Sequence, residues 1–233
     1  GVADNTRNKS GNEGYEYFYS VRDKEMVLLV ECWKDDDALH FHHNSDDMKK
    51  QAELKDKYEL VDSGFFWLSE TPDVPSLGWD AACNRITSYA ILKDKTTGFT
   101  YAHFNTHLDH VGNVAQAESI ALISAYIADI APDIPVVLTG DFNFAEGAYN
   151  YDTILKTGLK DSKYMAAEYD DHATYHGYHV IITDAKPIDY VFVNGYCSSV
   201  KSYSINTDFN HHILASDHFP VTVELTLFNG GTK

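Results

Sequence analysis

The feature that most limits how this chain can fold is the run Pro135-Val136-Val137-Leu138, wholly apolar and halted at Thr139-Gly140. Successive residues of a strand point to opposite faces, so such a run belongs in a sheet covered on both sides. Asp141 and Asn143 follow at once. Polar residues there lie at the carboxyl end of a buried strand, on the rim of a sheet, where ligand sites form. With one residue between them, both side chains can point the same way from an extended segment. Together they offer a carboxylate and a neutral amide, able to hold a nucleophile and a phosphate oxygen. A plain turn would use the same residues.

A second buried strand reads from Pro187 to Val193 and contains Asp189. A carboxylate there is costly unless paired. His218, in Ser216-Asp217-His218, is the natural partner, because a buried Asp orients an imidazole and stabilises its charged form. Asp217 suits a hard cation and His218 suits general acid or base work. The plain alternatives are an edge Asp wet on one side and a capping Asp beside an exposed His. Asn105-Thr106-His107-Leu108-Asp109-His110 closes an alternating strand that begins at Phe99. His107 can donate to a phosphate oxygen, whereas Asp109 and His110 read equally well as loop residues. Arg85 either faces a substrate or pairs with an acid.

Further strands are expected over 15–21, 26–33, 65–68, 85–92, 199–206 and 220–225, with a hairpin turn at 22–25. Helices are expected over 35–42, 47–57, 115–130 and 149–156. Strands outnumber helices and most helices sit between strands, which implies a layered α+β sandwich rather than a parallel Rossmann sheet.

The net charge of -17 without a basic stripe argues against an extended nucleic-acid surface. A divalent cation between protein and phosphate would still permit phosphoester chemistry. No apolar run approaches the ~20 residues of a membrane span, and no apolar stretch resembling a signal peptide opens the sequence. Cys32, Cys83 and Cys197 match neither a disulfide framework nor a zinc spacing, which favours a reducing compartment such as the cytoplasm.

Taken in order, Asn-Thr-His at 105–107, Gly-Asp-Phe-Asn at 140–143, Ile-Asp-Tyr at 188–190 and Ser-Asp-His at 216–218 resemble the endonuclease/exonuclease/phosphatase superfamily over about 58–225. Phe66-Trp67-Leu68-Ser69-Glu70-Thr71-Pro72, Gly78-Trp79-Asp80 and Thr174-Tyr175-His176-Gly177 look like its small bacterial hydrolase branch. The resemblance implies a four-layer α/β/β/α sandwich of the DNase I-like type over 58–233 and divalent-metal-dependent phosphoester hydrolysis with Mg²⁺ or Mn²⁺. It implies catalytic roles for His107, Asp141, Asn143, Asp189 and His218. Asp217 and Asp141 would belong to the metal site, and Arg85, Asn105 and His176 would meet substrate. Candidate substrates are a phosphorylated small molecule, a phospholipid head group or a nucleotide.

The family's opening strand-Asn and its Gln-Glu, whose Glu is a main metal ligand, have no counterpart before Tyr58, so the sandwich reads as N-terminally incomplete and its activity as impaired. Residues 11–57 instead resemble part of an antibiotic biosynthesis monooxygenase, a dimeric, ferredoxin-like α/β barrel. The matching residues include Leu28 to Asp35 and His42-His43. The chain thus reads as two partial units, 1–57 and 58–233, in a fusion, truncation or chimera. The alternative reading is a non-catalytic or dimerising fusion protein, with a homodimer formed through the N-terminal segment.

Overall fold

The computed structural model describes residues 12–19, 27–33, 54–178, 185–207 and 216–229. The chain divides into two compact units, Gly1–Tyr58 and Glu59–Lys233. In the first, β1 (Asn12–Tyr19) and β2 (Val27–Trp33) pair antiparallel in a two-stranded sheet. The expected turn at 22–25, the helix at 35–42, most of that at 47–57, and His42 and His43 lie outside the described residues.

The second unit is built on a six-stranded mixed sheet. Its strands are β3 (Tyr58–Trp67), β4 (Ile86–Asp94), β5 (Thr100–His107), β6 (Val136–Asp141), β7 (Lys160–Asp161) and β8 (Asp189–Val193). Their order across the sheet is β3-β4-β5-β6-β8-β7. β4 and β5, close to the strands expected over 85–92 and from Phe99, pair antiparallel. The crossover from β5 to β6 runs through a helix, α1 (Asn113–Ile130), so these two strands are parallel. β8 then returns antiparallel to β6. Strand β3 is longer than its apolar residues 65–68 suggested, and the short β7 with the 3₁₀ turn Ser162–Met165 carried no periodic signal.

One face of this sheet is the main core. Phe104, Leu138, Tyr190 and Phe192 meet Ile120 and Ile123 of α1 and Tyr151 and Ile154 of α2 (Tyr149–Lys156). α1 buries Ala115, Gln116, Ser119, Ile120 and Ile123, one stripe at helical spacing. It stops at Ala131, where Pro132 cannot continue the helix. The first turn has no capping side chain of its own. Asp80, from the loop before β4, accepts the N–H groups of Val114 and Ala115 at 3.3 and 2.7 Å.

The opposite face meets a two-stranded sheet of β9 (Cys197–Ile205) and β10 (Val221–Leu227). Val137 and Val193 pack there against Val200, Val223 and Leu225. The described layers are therefore helix, sheet and sheet, as in an α+β sandwich, and no second helical layer is found among the described residues. Among those residues no helix is long and apolar enough to cross a membrane.

Candidate functional site

Three adjacent strands bring one row of polar side chains to a single rim. The parallel register sets His107 opposite Asp141, and the antiparallel register sets Asp141 opposite Asp189. β5 and β6 end at this rim and β8 begins there. All three residues alternate with the core-facing Thr106, Gly140 and Tyr190, so they lie on the face that the second sheet covers further down. Gly140 permits the close approach that this register needs: its φ is 153°, and an added Cβ would strike the carbonyl oxygen of Thr106.

The polypeptide turns at once after Asp141. Asn143 takes a left-handed conformation, φ 54°, which Asn tolerates better than most residues. Its N–H donates to Asp141 Oδ1 at 2.9 Å, and its side-chain amide donates to the Leu108 carbonyl at 2.9 Å. Asn143 thereby locks the ends of β5 and β6 together and fixes the Asp141 carboxylate.

His218 reaches the row from the segment before β10. Its Nδ1 lies 2.8 Å from Asp189 Oδ2, and its Nε2 lies 3.7 Å from Asp141 Oδ2. His107 Nε2 lies 3.3 Å from the same Asp141 oxygen, so Asp141 stands between two imidazoles. The segment 174–177 secures this arrangement from behind. Thr174 Oγ1 accepts the N–H groups of Ile188 and Asp189, and its carbonyl accepts that of Phe219. His176 and Gly177 donate their N–H groups to the Asp217 carbonyl at 2.9 and 3.1 Å. The His176 ring is only 7% exposed and lies 4.3 Å from that of Phe219. Its geometry is that of a residue holding the 216–218 segment from beneath.

The two imidazoles are tuned in opposite directions. The hydrogen bond to Asp189 raises His218 above the ordinary histidine value against the opposing pull of burial, and the carboxylates of Asp189 and Asp141 add to the rise. Burial lowers His107, opposed by Asp141 and reinforced by Arg85 and His218. Burial also raises Asp141, against the N–H of Asn143. Environments that push neighbouring groups apart in this way separate a proton donor from an acceptor.

Asn105 shares the face of His107 and donates to Thr139 Oγ1 at 2.8 Å, while His103 Nε2 meets the same hydroxyl at 2.9 Å. Of the two alternatives read for Arg85, the acid pairing is present. Its Nε lies 3.7 Å from Asp109 Oδ2, and its Nη2 is 3.2 Å from His110 Nδ1. Asp109 itself carried little sequence signal. Its Oδ1 accepts the nearby N–H groups of Val111 and Gly112, and its Oδ2 accepts those of Ala82 and Cys83, distant in sequence and without a signal there.

Ligand atoms of Asp141, Asp189 and His218 lie within 4.8 Å of one another. Two neighbouring carboxylates suit a hard divalent cation that keeps much of its water and takes further oxygens from substrate. One oxygen of each is committed, Asp141 Oδ1 to Asn143 and Asp189 Oδ2 to His218, which leaves one oxygen from each carboxylate for Mg²⁺ or Mn²⁺. Asp217 falls outside this set, and no Glu joins it among the described residues. The grouping of Cys83, Asp109 and His110 is different in kind, because both Asp109 oxygens are taken by backbone N–H groups.

Residues 1–54 match the antibiotic biosynthesis monooxygenase family. An uncharacterized protein of Acanthamoeba polyphaga mimivirus is 27% identical over 175 residues, covering 67% of this chain and 62% of that protein. The chain thus spans less than two thirds of that relative's length. A solved mannosyl-6-phosphatase from Bacteroides thetaiotaomicron is 33% identical, with a TM-score of 0.69, over 92% of this chain and 78% of that one. A solved endonuclease/exonuclease/phosphatase from Bacteroides vulgatus is 40% identical, with a TM-score of 0.70, over 75% of this chain and 68% of that one. At that identity and coverage, this chain belongs to the endonuclease/exonuclease/phosphatase family.

Proposed function

We propose that the chain hydrolyses phosphoester bonds of small phosphorylated molecules with the help of a divalent cation. The observation that carries this reading is the position of Asp141 between His107 and His218, with Asp189 holding His218 from its far nitrogen. Asp141 is placed to take a proton from a water molecule as that water attacks phosphorus in line. The new O–P bond forms as the ester P–O bond breaks. His218, kept protonated by Asp189, supplies the proton to the departing alcohol oxygen. His107 donates to a non-bridging phosphate oxygen, where negative charge gathers in the transition state. Asn105, two residues earlier on the same strand face, adds a polar edge to this surface.

Asp141 is the residue best placed to hold the cation, with the Asp189 carboxylate next to it and Asp217 following in the 216–218 segment. A bound Mg²⁺ or Mn²⁺ supplies Lewis-acid neutralisation of phosphoryl oxygens. The hard oxygen donors favour these ions over zinc. A small substrate is supported by the net charge of -17, unfavourable to polyanions, and by the naming of one solved relative as a mannosyl-6-phosphatase.

The test is hydrolysis of bis-p-nitrophenyl phosphate and of a hexose 6-phosphate with and without Mg²⁺. Turnover is expected to require the cation and to fall by about 10²–10⁴ in Asp141→Ala. Robust turnover that survives Asp141→Ala overturns the assignment.

A further inference from the structure

On the helical side of the same rim, a groove of about 610 Å³ opens beside the N-terminal ends of α1 and α2. Its size falls within the range of small-ligand sites, roughly 300–1,000 Å³. Asn143 belongs to both places: it lines the groove, and its N–H holds Asp141. His110 lines the groove too and bonds to Arg85.

The groove is pre-formed. Buried Gln116 donates to the Asp109 carbonyl at 2.7 Å, and Asn150 donates to Gln116 Oε1 at 2.8 Å. Its outer parts are exposed and apolar: Val111, Val114 and Tyr149, the last 75% exposed. Lys156 Nζ stands 5.9 Å from the centre of the Tyr149 ring and occupies one of its faces. Among the described residues the groove is lined by no Lys or Arg, while Glu118 lines it. A second phosphate would meet one lining carboxylate, Glu118, and no lining cation, Lys156 standing at the edge against one face of the Tyr149 ring. A hydroxylated ring has C–H faces for Tyr149 and the valines and hydroxyls for the exposed amide of Asn113.

We propose that this groove receives the alcohol part of the substrate and selects an uncharged polyhydroxyl ring, such as a hexose, over a group carrying a second phosphate. This rests on the phosphoester-hydrolase reading and names the substrate class of that site.

Binding to a His218→Asn protein in Mg²⁺, which lacks the proton donor but keeps the Asp141 and Asp189 carboxylates, measured by calorimetry, tests the groove without turnover. Hexose 6-phosphate is expected to bind about tenfold more tightly than hexose 1,6-bisphosphate, the equivalent of about 1.4 kcal/mol. Adding Tyr149→Ala weakens hexose 6-phosphate by about three- to tenfold, more than it weakens glycerol 3-phosphate, and Tyr149→Phe restores binding. Glu118→Lys narrows or inverts the preference against the bisphosphate. Both side chains are exposed, so these variants keep the fold, as circular dichroism would verify. Equal or tighter binding of the bisphosphate, no effect of Tyr149→Ala or of Glu118→Lys, tighter binding of a nucleoside monophosphate, or no binding of any of these ligands overturns the proposal. Turnover of bis-p-nitrophenyl phosphate with any of those binding results sinks the groove alone. The expected binding pattern in a protein that turns nothing over sinks the hydrolase reading instead.

Discussion

Replacing Asp109 by Asn is expected to destabilise the protein by about 2–4 kcal/mol, although the change alters one atom of the side chain. Oδ1 accepts the N–H groups of Val111 and Gly112 at 2.9 and 2.8 Å, and Oδ2 accepts those of Ala82 and Cys83, both at 3.0 Å. The side chain is 1% exposed, so water cannot substitute for a lost acceptor. Asn keeps one carbonyl oxygen. However its amide turns, the NH₂ faces two N–H donors and leaves both unmet, at roughly 1–3 kcal/mol for each buried orphan. Urea unfolding at pH 7, with an unchanged m-value, reads the difference directly. Its pH dependence follows from the same contacts. Burial pulls the Asp109 carboxyl up, but the four N–H groups win and hold it well below the usual carboxylate range. A depressed folded value contributes stability above the unfolded value, ~3.9, and loses it as pH falls through the folded value. The gap between wild type and Asp109→Asn should therefore be flat from about pH 5 to 8 and narrow below about pH 4. A difference under about 1 kcal/mol at pH 7, or a gap that widens in acid, refutes the reasoning.

Three further outcomes are expected. Gly140→Ala sets a Cβ against the Thr106 carbonyl at a φ of 153° and should cost roughly 2–4 kcal/mol in thermal unfolding; a neutral change would show that the β5–β6 register tolerates it. Lys163 is wholly buried, ion-paired to Glu146 and, at 2.7 Å, to Asp171, with the Tyr164 and Tyr169 rings 4.7 and 5.3 Å away. Lys163→Met leaves carboxylates without their central cation and should cost about 3–5 kcal/mol; a loss below about 1 kcal/mol in urea would contradict this. Asp189→Asn should lower the His218 pKa in an NMR titration and cut hydrolysis by about 10²–10⁴. Because the folded value of His218 is raised, the pair's stability is fully present below about pH 6.5 and lost as pH rises through the folded value. The gap between the two proteins should thus be larger at pH 6 than at pH 9, and an unmoved His218 would count against the pairing.

How far the sequence disclosed the structure depended on the range of the contacts involved. Local pattern placed β6, β8, α2 and the β4–β5 pair within a few residues, because apolar runs and alternation report burial directly. The pairing of Asp189 with His218 was legible because a carboxylate in the strand Ile188 to Val193 demands a partner. Pattern did not reveal that Asp80 caps α1, that Asp109 gathers the N–H groups of two loops, or that Lys163 is buried whole. Each depends on a contact between distant segments, and an isolated Asp or Lys looks the same in sequence whether solvated or enclosed. Asp217 as a metal ligand was read from its suitability for a hard cation and from the family resemblance. In the structure Asp189 and His218 group with Asp141, while Asp217 accepts the His176 and Gly177 N–H groups through its backbone carbonyl and its carboxylate helps to raise His218.

The row of His107, Asp141 and Asp189 has a consequence for how the molecule folds. His107 and Asp141 become neighbours once α1 has brought β6 beside β5, but Asp189 joins only when β8 has returned, and His218 only when the segment before β10 has docked. Every such closure costs chain entropy that grows as about (3/2)RT ln n. Polar side chains repay little of this cost in water, so it falls to the valine and aromatic contacts beneath the row. Topologies built on pairings this distant in sequence fold slowly compared with helical bundles. A partly folded chain can therefore hold β4, β5 and α1 in order while Asp141 and His218 are still far apart. The row with its two imidazoles is a property of the completed sandwich.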